Sequence, residues 1–121
     1  MSVSGPGFIS LQVRDLERSA AFYEAYLGFA RQAGPPQAVV FDTRPASFAV
    51  REAMPGTDLS SVSQLGVGVS VWMHADAVQG IHDRLHGVGV PIISPLVSGP
   101  FGLTFTFEDP DGYRITLHDR A

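Results

Sequence analysis

The chain contains no cysteine. Disulfides, thiolate metal ligands and a cysteine nucleophile are therefore excluded, and the cytoplasm is the expected location. Positive charge is the minority: 8 Lys and Arg face 12 Asp and Glu, a net charge of −4 at pH 7. That balance lacks the electrostatic footprint of a nucleic-acid binder, so no nucleic-acid partner is expected. No apolar run approaches ~18 residues and no charged-then-apolar leader opens the chain, so neither a membrane span nor a signal peptide is expected. Charged residues make up only 17% and hydrophobic ones 45% of the 121 residues, which is the composition of one folded domain with a core of its own.

The end of the chain is the most informative stretch. Asp109-Pro110-Asp111-Gly112 is a turn by its chemistry: proline presets φ, aspartate bonds its own backbone and glycine accepts positive φ. Strand-like alternation flanks it. Leu103, Phe105 and Phe107 alternate with Thr104, Thr106 and Glu108, and Tyr113, Ile115 and Leu117 alternate with Arg114, Thr116 and His118. The pattern predicts a terminal β-hairpin with one apolar and one polar face. The polar face is where function is expected.

From the start, residues 8–14 read as a strand with Ile9, Leu11 and Val13 on one face. Asp15 is placed to cap a helix over 16–27, whose stripe is Leu16, Ala20, Tyr23 and Leu27, and Gly28 is a natural stop. Extended pieces follow at 30–32, 38–42 and 47–51. The aperiodic stretch 53–64 reads as a connector. Residues 66–74 then read as a strand, with Val67, Val69, Val71 and Met73 opposite Gly68, Ser70, Trp72 and His74. A second helix is expected over 75–88, with Asp76 at its start and Gly87 and Gly89 at its end. A short extended piece at 91–94 and a Pro/Gly loop at 96–102 lead into the hairpin.

The order is strand, helix, three strands, twice over, an internal repeat of about 60 residues. The expected architecture is α+β. One domain over 1–121 would comprise two βαβββ modules, at about 7–52 and 65–119. They would form a concave mixed sheet around a cavity, with helices outside.

Two motifs then carry a resemblance. Val13-Arg14-Asp15-Leu16-Glu17-Arg18-Ser19, with Phe22-Tyr23 and Leu27-Gly28-Phe29, resembles the first strand and helix of the vicinal oxygen chelate superfamily. Gly99-Pro100-Phe101-Gly102 and Phe107-Glu108-Asp109-Pro110-Asp111-Gly112 resemble its last hairpin. This is the superfamily of glyoxalase I, extradiol dioxygenases, and fosfomycin- and bleomycin-resistance proteins. The resemblance implies metal ligands at Phe8, about Ser70, Thr116, and Phe48 or Ala49, where enzymes of the family carry His, Glu or Gln. None of these is a ligand for zinc, iron or manganese. The chain therefore resembles the metal-free, drug-binding members, for which no cofactor is expected. The resemblance also implies a homodimer.

Several residues are candidates for the site. Trp72, the only tryptophan, lies on the polar side with Ser70 and His74, where an indole stacks on an aromatic ligand or else fills a sheet junction. Phe8 and Phe101 either line a cavity or pack in the core. Ser10, Gln12, Arg14, Thr104, Thr106 and Thr116 offer hydrogen bonds, though exposed strand polarity explains them as well. His74, Glu108 and His118 are acid–base candidates, and strand-end exposure is their plainer reading. His82 and His86 share a helix face at metal-binding spacing but lack a third ligand, so a solvated face is expected. Asp15 and the 109–112 turn are assigned structural roles.

Three readings follow. The first is a metal-free small-molecule binder that sequesters an aromatic or hydrophobic compound, such as an antibiotic, with the net negative charge favouring a cationic drug. The second is a lyase, isomerase or dioxygenase using a displaced metal or acid–base residues. The third is an interaction module with its cavity filled by Phe8 and Trp72.

Overall fold

The computed structural model describes residues 2–120. The chain divides after Ser61 into two compact units. The first runs β1 (Phe8–Val13), α1 (Leu16–Leu27), β2 (Arg31–Gln32), β3 (Ala38–Phe41) and β4 (Ser47–Glu52), and ends on a 3-10 turn at Leu59–Ser61. Its sheet has the order β1-β4-β3-β2, with β1 parallel to β4 and the other neighbours antiparallel. Leu11, Val13, Phe41, Phe48 and Val50 are buried. Tyr23 brings α1 down onto them: its ring lies 5.0 Å from Phe48 and 6.0 Å from a stacked Phe29.

The helix ends follow the residues expected to make them. The Asp15 carboxylate accepts the Arg18 N–H at 3.1 Å, and Gly28 closes α1 at a φ of 73°. Arg31 on β2 then grips α1 through Glu24 at 2.8 Å and Glu17 at 3.1 Å. The Arg31 hydrogen bond holds the Glu24 carboxyl below its usual range.

The second unit repeats the plan with β5 (Val71–His74), α2 (Val78–Gly87), β6 (Ile92–Gly99), β7 (Gly102–Glu108) and β8 (Arg114–His118). Its order is β5-β8-β7-β6, with β5 parallel to β8. Phe105, Phe107, Ile115 and Leu117 are buried with Val78 and Leu85 of α2. The β7–β8 hairpin turns where the sequence placed it. Asp109 is buried there, and its Oδ1 accepts the N–H groups of Asp111 and Tyr113 at 2.9 and 3.0 Å.

Four expectations are corrected. Residues 66–70 are not strand: 65–68 form a turn, because Gly66 and Gly68 take φ values of 75° and 88° that a strand does not use. Val67 and Val69 are consequently exposed rather than core. The second helix starts at Val78, not residue 75, because the Ala75 N–H still donates to His118 O at 2.9 Å in continuation of the sheet. Asp76 is no cap: Ala77 stands at that position with no side-chain bond. The expected loop at 96–102 is mostly β6. Pro95 is accommodated because β6 is an edge strand whose register shifts on either side of Ser94.

The connector is shared rather than free. Gln12 Oε1 accepts the Met54 N–H at 2.8 Å and Arg14 donates to Leu59 O at 3.2 Å, while Gln64 donates to Gly112 O at 2.7 Å. No helix among the described residues is long and apolar enough to cross a membrane.

The unequal helix caps give a direct test. Asp15→Ala should cost about 1 kcal/mol of stability in denaturant unfolding, as loss of an N-cap carboxylate does. Asp76→Ala, which removes no cap, should stay within about 0.5 kcal/mol of the parent.

Candidate functional site

The site is built on the face of the second sheet that turns away from α2. Pairing across β5, β8, β7 and β6 lines residues up in rows. One row is Trp72, Thr116, Thr106 and Ser94; the next is His74, His118, Thr104 and Val97. In the first row the Thr106 and Thr116 hydroxyls bond each other at 2.7 Å. In the second, His118 Nδ1 lies 2.8 Å from Arg120 O and donates to it. Trp72 joins the rows: its ring is 5.4 Å from Phe101 and 5.9 Å from His118, and His74 lies 5.7 Å from His118.

Over the first row opens a concavity of about 340 Å³. Its floor is Trp72, Ser94, Thr106, Arg114 and Thr116, and its rim is the 64–70 turn with Val67 and Val69. The Val69 N–H donates to Gly66 O at 3.0 Å, and Gln64 ties the rim to the β7–β8 turn. The volume lies at the lower end of the range for small-molecule sites, and the mixture of one indole, hydroxyls and aliphatic rim is the usual chemistry of such sites. Trp72 is 47% exposed, so its ring is open to a ligand.

Within the second unit the expected site residues fall into neighbouring groups. Ser70, Trp72, Thr106 and Thr116 line the concavity. His74, Thr104 and His118 form the neighbouring row, and Phe101, in the β6–β7 turn, packs edge-on to Trp72. Phe8, Ser10 and Gln12 lie on β1 of the other unit, where Phe8 is 69% exposed and Gln12 is engaged with the Met54 backbone. Glu108 stands opposite Arg114, at the far end of the hairpin from His118, which pairs with Thr104. It is not brought to either histidine of the second row. Of the second-helix histidines, His86 is exposed as expected, whereas His82 is not. His82 is mostly buried, packs edge-on to Phe105 at 5.1 Å, and meets Asp83 at 3.0 Å. Its hydrogen bond, with a second from Gln79, holds the Asp83 carboxyl below its usual range.

Arg114, Ser94 and the valine rim were not singled out in the sequence. Arg114 shares the alternation of Thr116 and was legible from it. The rim was hidden because Gly66-Val67-Gly68-Val69 mimics strand alternation.

The positions that the resemblance assigns to metal ligands do not fit a metal. Thr116 is occupied with Thr106, Phe48 is buried among aromatic rings, Ala49 and Phe8 have no donor, and Ser70 offers one neutral hydroxyl. Among the described residues, no group of three or more His, Asp or Glu side chains is placed to hold an ion.

The profile of the Glyoxalase/Bleomycin resistance protein/Dioxygenase superfamily matches residues 5–117. The chain belongs to this superfamily. Solved structures of the same fold include the fosfomycin resistance protein FosX of Listeria monocytogenes, at 19% identity and a TM-score of 0.74, covering 99% of this chain and 96% of that one. TnmS3, an antibiotic binding protein from Streptomyces sp. CB03234, is 24% identical with a TM-score of 0.73 over 100% of this chain and 99% of its own. A lactoylglutathione lyase from Agrobacterium tumefaciens is 18% identical with a TM-score of 0.69, covering 98% and 96% of the two chains. No curated protein sequence matches the chain.

Proposed function

We propose that this superfamily member is a metal-free small-molecule binding protein that takes an aromatic, partly polar compound onto Trp72. The observation that carries the reading is the half-exposed indole flooring a concavity beside paired threonine hydroxyls, where the resemblance would place a metal carboxylate at Thr116. The similarity of the fold to an antibiotic binding protein and a fosfomycin resistance protein makes sequestration of an antibiotic the biological role we favour. A cytoplasmic homodimer completes the proposal; monomeric elution on size exclusion would remove the dimer and leave the concavity intact.

The test is optical. N-phenyl-1-naphthylamine, an uncharged aromatic probe, should quench or shift Trp72 emission and saturate at one equivalent per chain. A linear, unsaturable response would contradict the reading. A second reading, a lyase or isomerase, is favoured by the contact of His74 with His118, whose Nδ1 is held by Arg120 O. It requires activity on a defined substrate that is lost in His118→Gln while probe binding is retained.

A further inference from the structure

Among the described residues, Arg114 is the single charged side chain lining the concavity. It extends from β8 on the same face as Thr116, and its side chain is 49% exposed. Its one charged partner is Glu108, reached by Nε at 3.4 Å. That is longer than the ~2.7–2.9 Å of a strong charge-assisted bond. The contact uses the Nε side of the guanidinium, and neither Nη group has a partner among the described residues.

The surroundings suit a ligand rather than a protein partner for those Nη groups. Ser70, Ser94, Thr106 and Thr116 supply hydroxyls around the same space. The Thr106–Thr116 bond consumes one hydroxyl proton of the two. The other points a donor elsewhere, since each hydroxyl carries one proton and two acceptor sites. The polar side of the concavity is therefore rich in donors and carries positive charge without an opposing carboxylate on its lining. The other side is the face of Trp72 with the Val67 and Val69 rim, which accepts a flat apolar ring.

Resting on the reading of the concavity as an aromatic site, we infer that its ligand is an aromatic acid: a flat ring on Trp72 with a carboxylate, sulfonate or similar anion held by the Nη fork of Arg114. This reverses the expectation drawn from the net charge of −4. Exposed charges more than ~8 Å away are largely screened at physiological ionic strength, so Arg114, opposed by Glu108 on its Nε side alone, outweighs the net charge in setting the sign of the ligand. A guanidinium fork also matches a planar carboxylate in two parallel bonds, which an ammonium does not.

Two probes that differ in one group provide the test. 8-Anilino-1-naphthalenesulfonate and N-phenyl-1-naphthylamine share their rings, and only the first carries an anion. Titration of the full chain should give about 10- to 100-fold tighter binding for the sulfonate, the range for hydrogen bonds to a charged group. Arg114→Gln should abolish that preference while changing affinity for the neutral probe by less than about twofold, and Arg114→Lys should restore part of it. Equal weakening of both probes by Arg114→Gln would overturn the inference, because it would assign Arg114 a packing role alone. A sulfonate preference that survives Arg114→Gln would overturn it as well, with the neutral probe still reporting an intact aromatic site. Failure of both probes to bind the parent protein would remove the aromatic reading itself, and this inference with it.

Discussion

Gly102→Ala is expected to destabilise the protein by about 2–4 kcal/mol and to lower its melting temperature by roughly 10 °C or more. Gly102 opens β7 with a φ of +80°, a conformation that costs an L-residue about 1–2 kcal/mol. The larger problem is space, for a Cβ there would overlap the Asp119 carboxylate. That carboxylate cannot simply move away, because it accepts the Leu103 N–H at 2.8 Å, and Arg120 N–H donates to Phe101 O at 3.0 Å beside it. The chain end thus straps the β6–β7 turn, and Gly102 is the residue that lets the strap lie flat. Asp119→Ala should cost about 1 kcal/mol, the net worth of one hydrogen bond. The double variant should be more stable than the two single losses predict, because the overlap is gone. Additivity in thermal unfolding would show that the close approach is not the cause. Phe101 sits in this turn, so the strap also sets where its ring meets Trp72.

Trp72→Ala is expected to weaken binding of the naphthylamine probe by about 10- to 100-fold, or about 1.5–3 kcal/mol, as truncation of a central aromatic anchor does. Stability should change far less than in a core truncation, because the indole is half exposed and packs on one side against Phe101 and His118. Trp72→Phe should retain most of the affinity, since a flat apolar face remains. These outcomes separate ligand binding from sheet filling. If Trp72 serves only to fill the sheet surface, Trp72→Ala lowers the melting temperature and leaves probe affinity unchanged.

The elements that were legible in the sequence are those whose local chemistry agrees with their packing. Asp15 and Gly28 bound α1 because an N-cap carboxylate and a left-handed glycine do the same work in any helix. The 109–112 turn was readable because Asp109 supplies its own backbone bonds. The second helix start was misplaced because Asp76 offers a cap that the sheet overrides: Ala75 is still held by His118 O. The extent of β6 was missed because Pro95 signals a loop, and only its edge position and irregular register make it strand. The candidate site was half legible. Alternation put Ser70, Trp72, Thr106 and Thr116 on one face. Their junction with Ser94 required the sheet order, and the rim required the positive φ of Gly66 and Gly68, neither of which alternation encodes.

The most direct test of the account is amide chemical-shift mapping of the ¹⁵N-labelled protein during titration with 8-anilino-1-naphthalenesulfonate. Saturable shifts are expected in the Trp72 indole N–H, the 64–70 rim, Ser94, Thr106, Arg114 and Thr116, with the outer face of α2 unmoved. Shifts confined to other surfaces, or none at saturating probe, would contradict a ligand site on this sheet face.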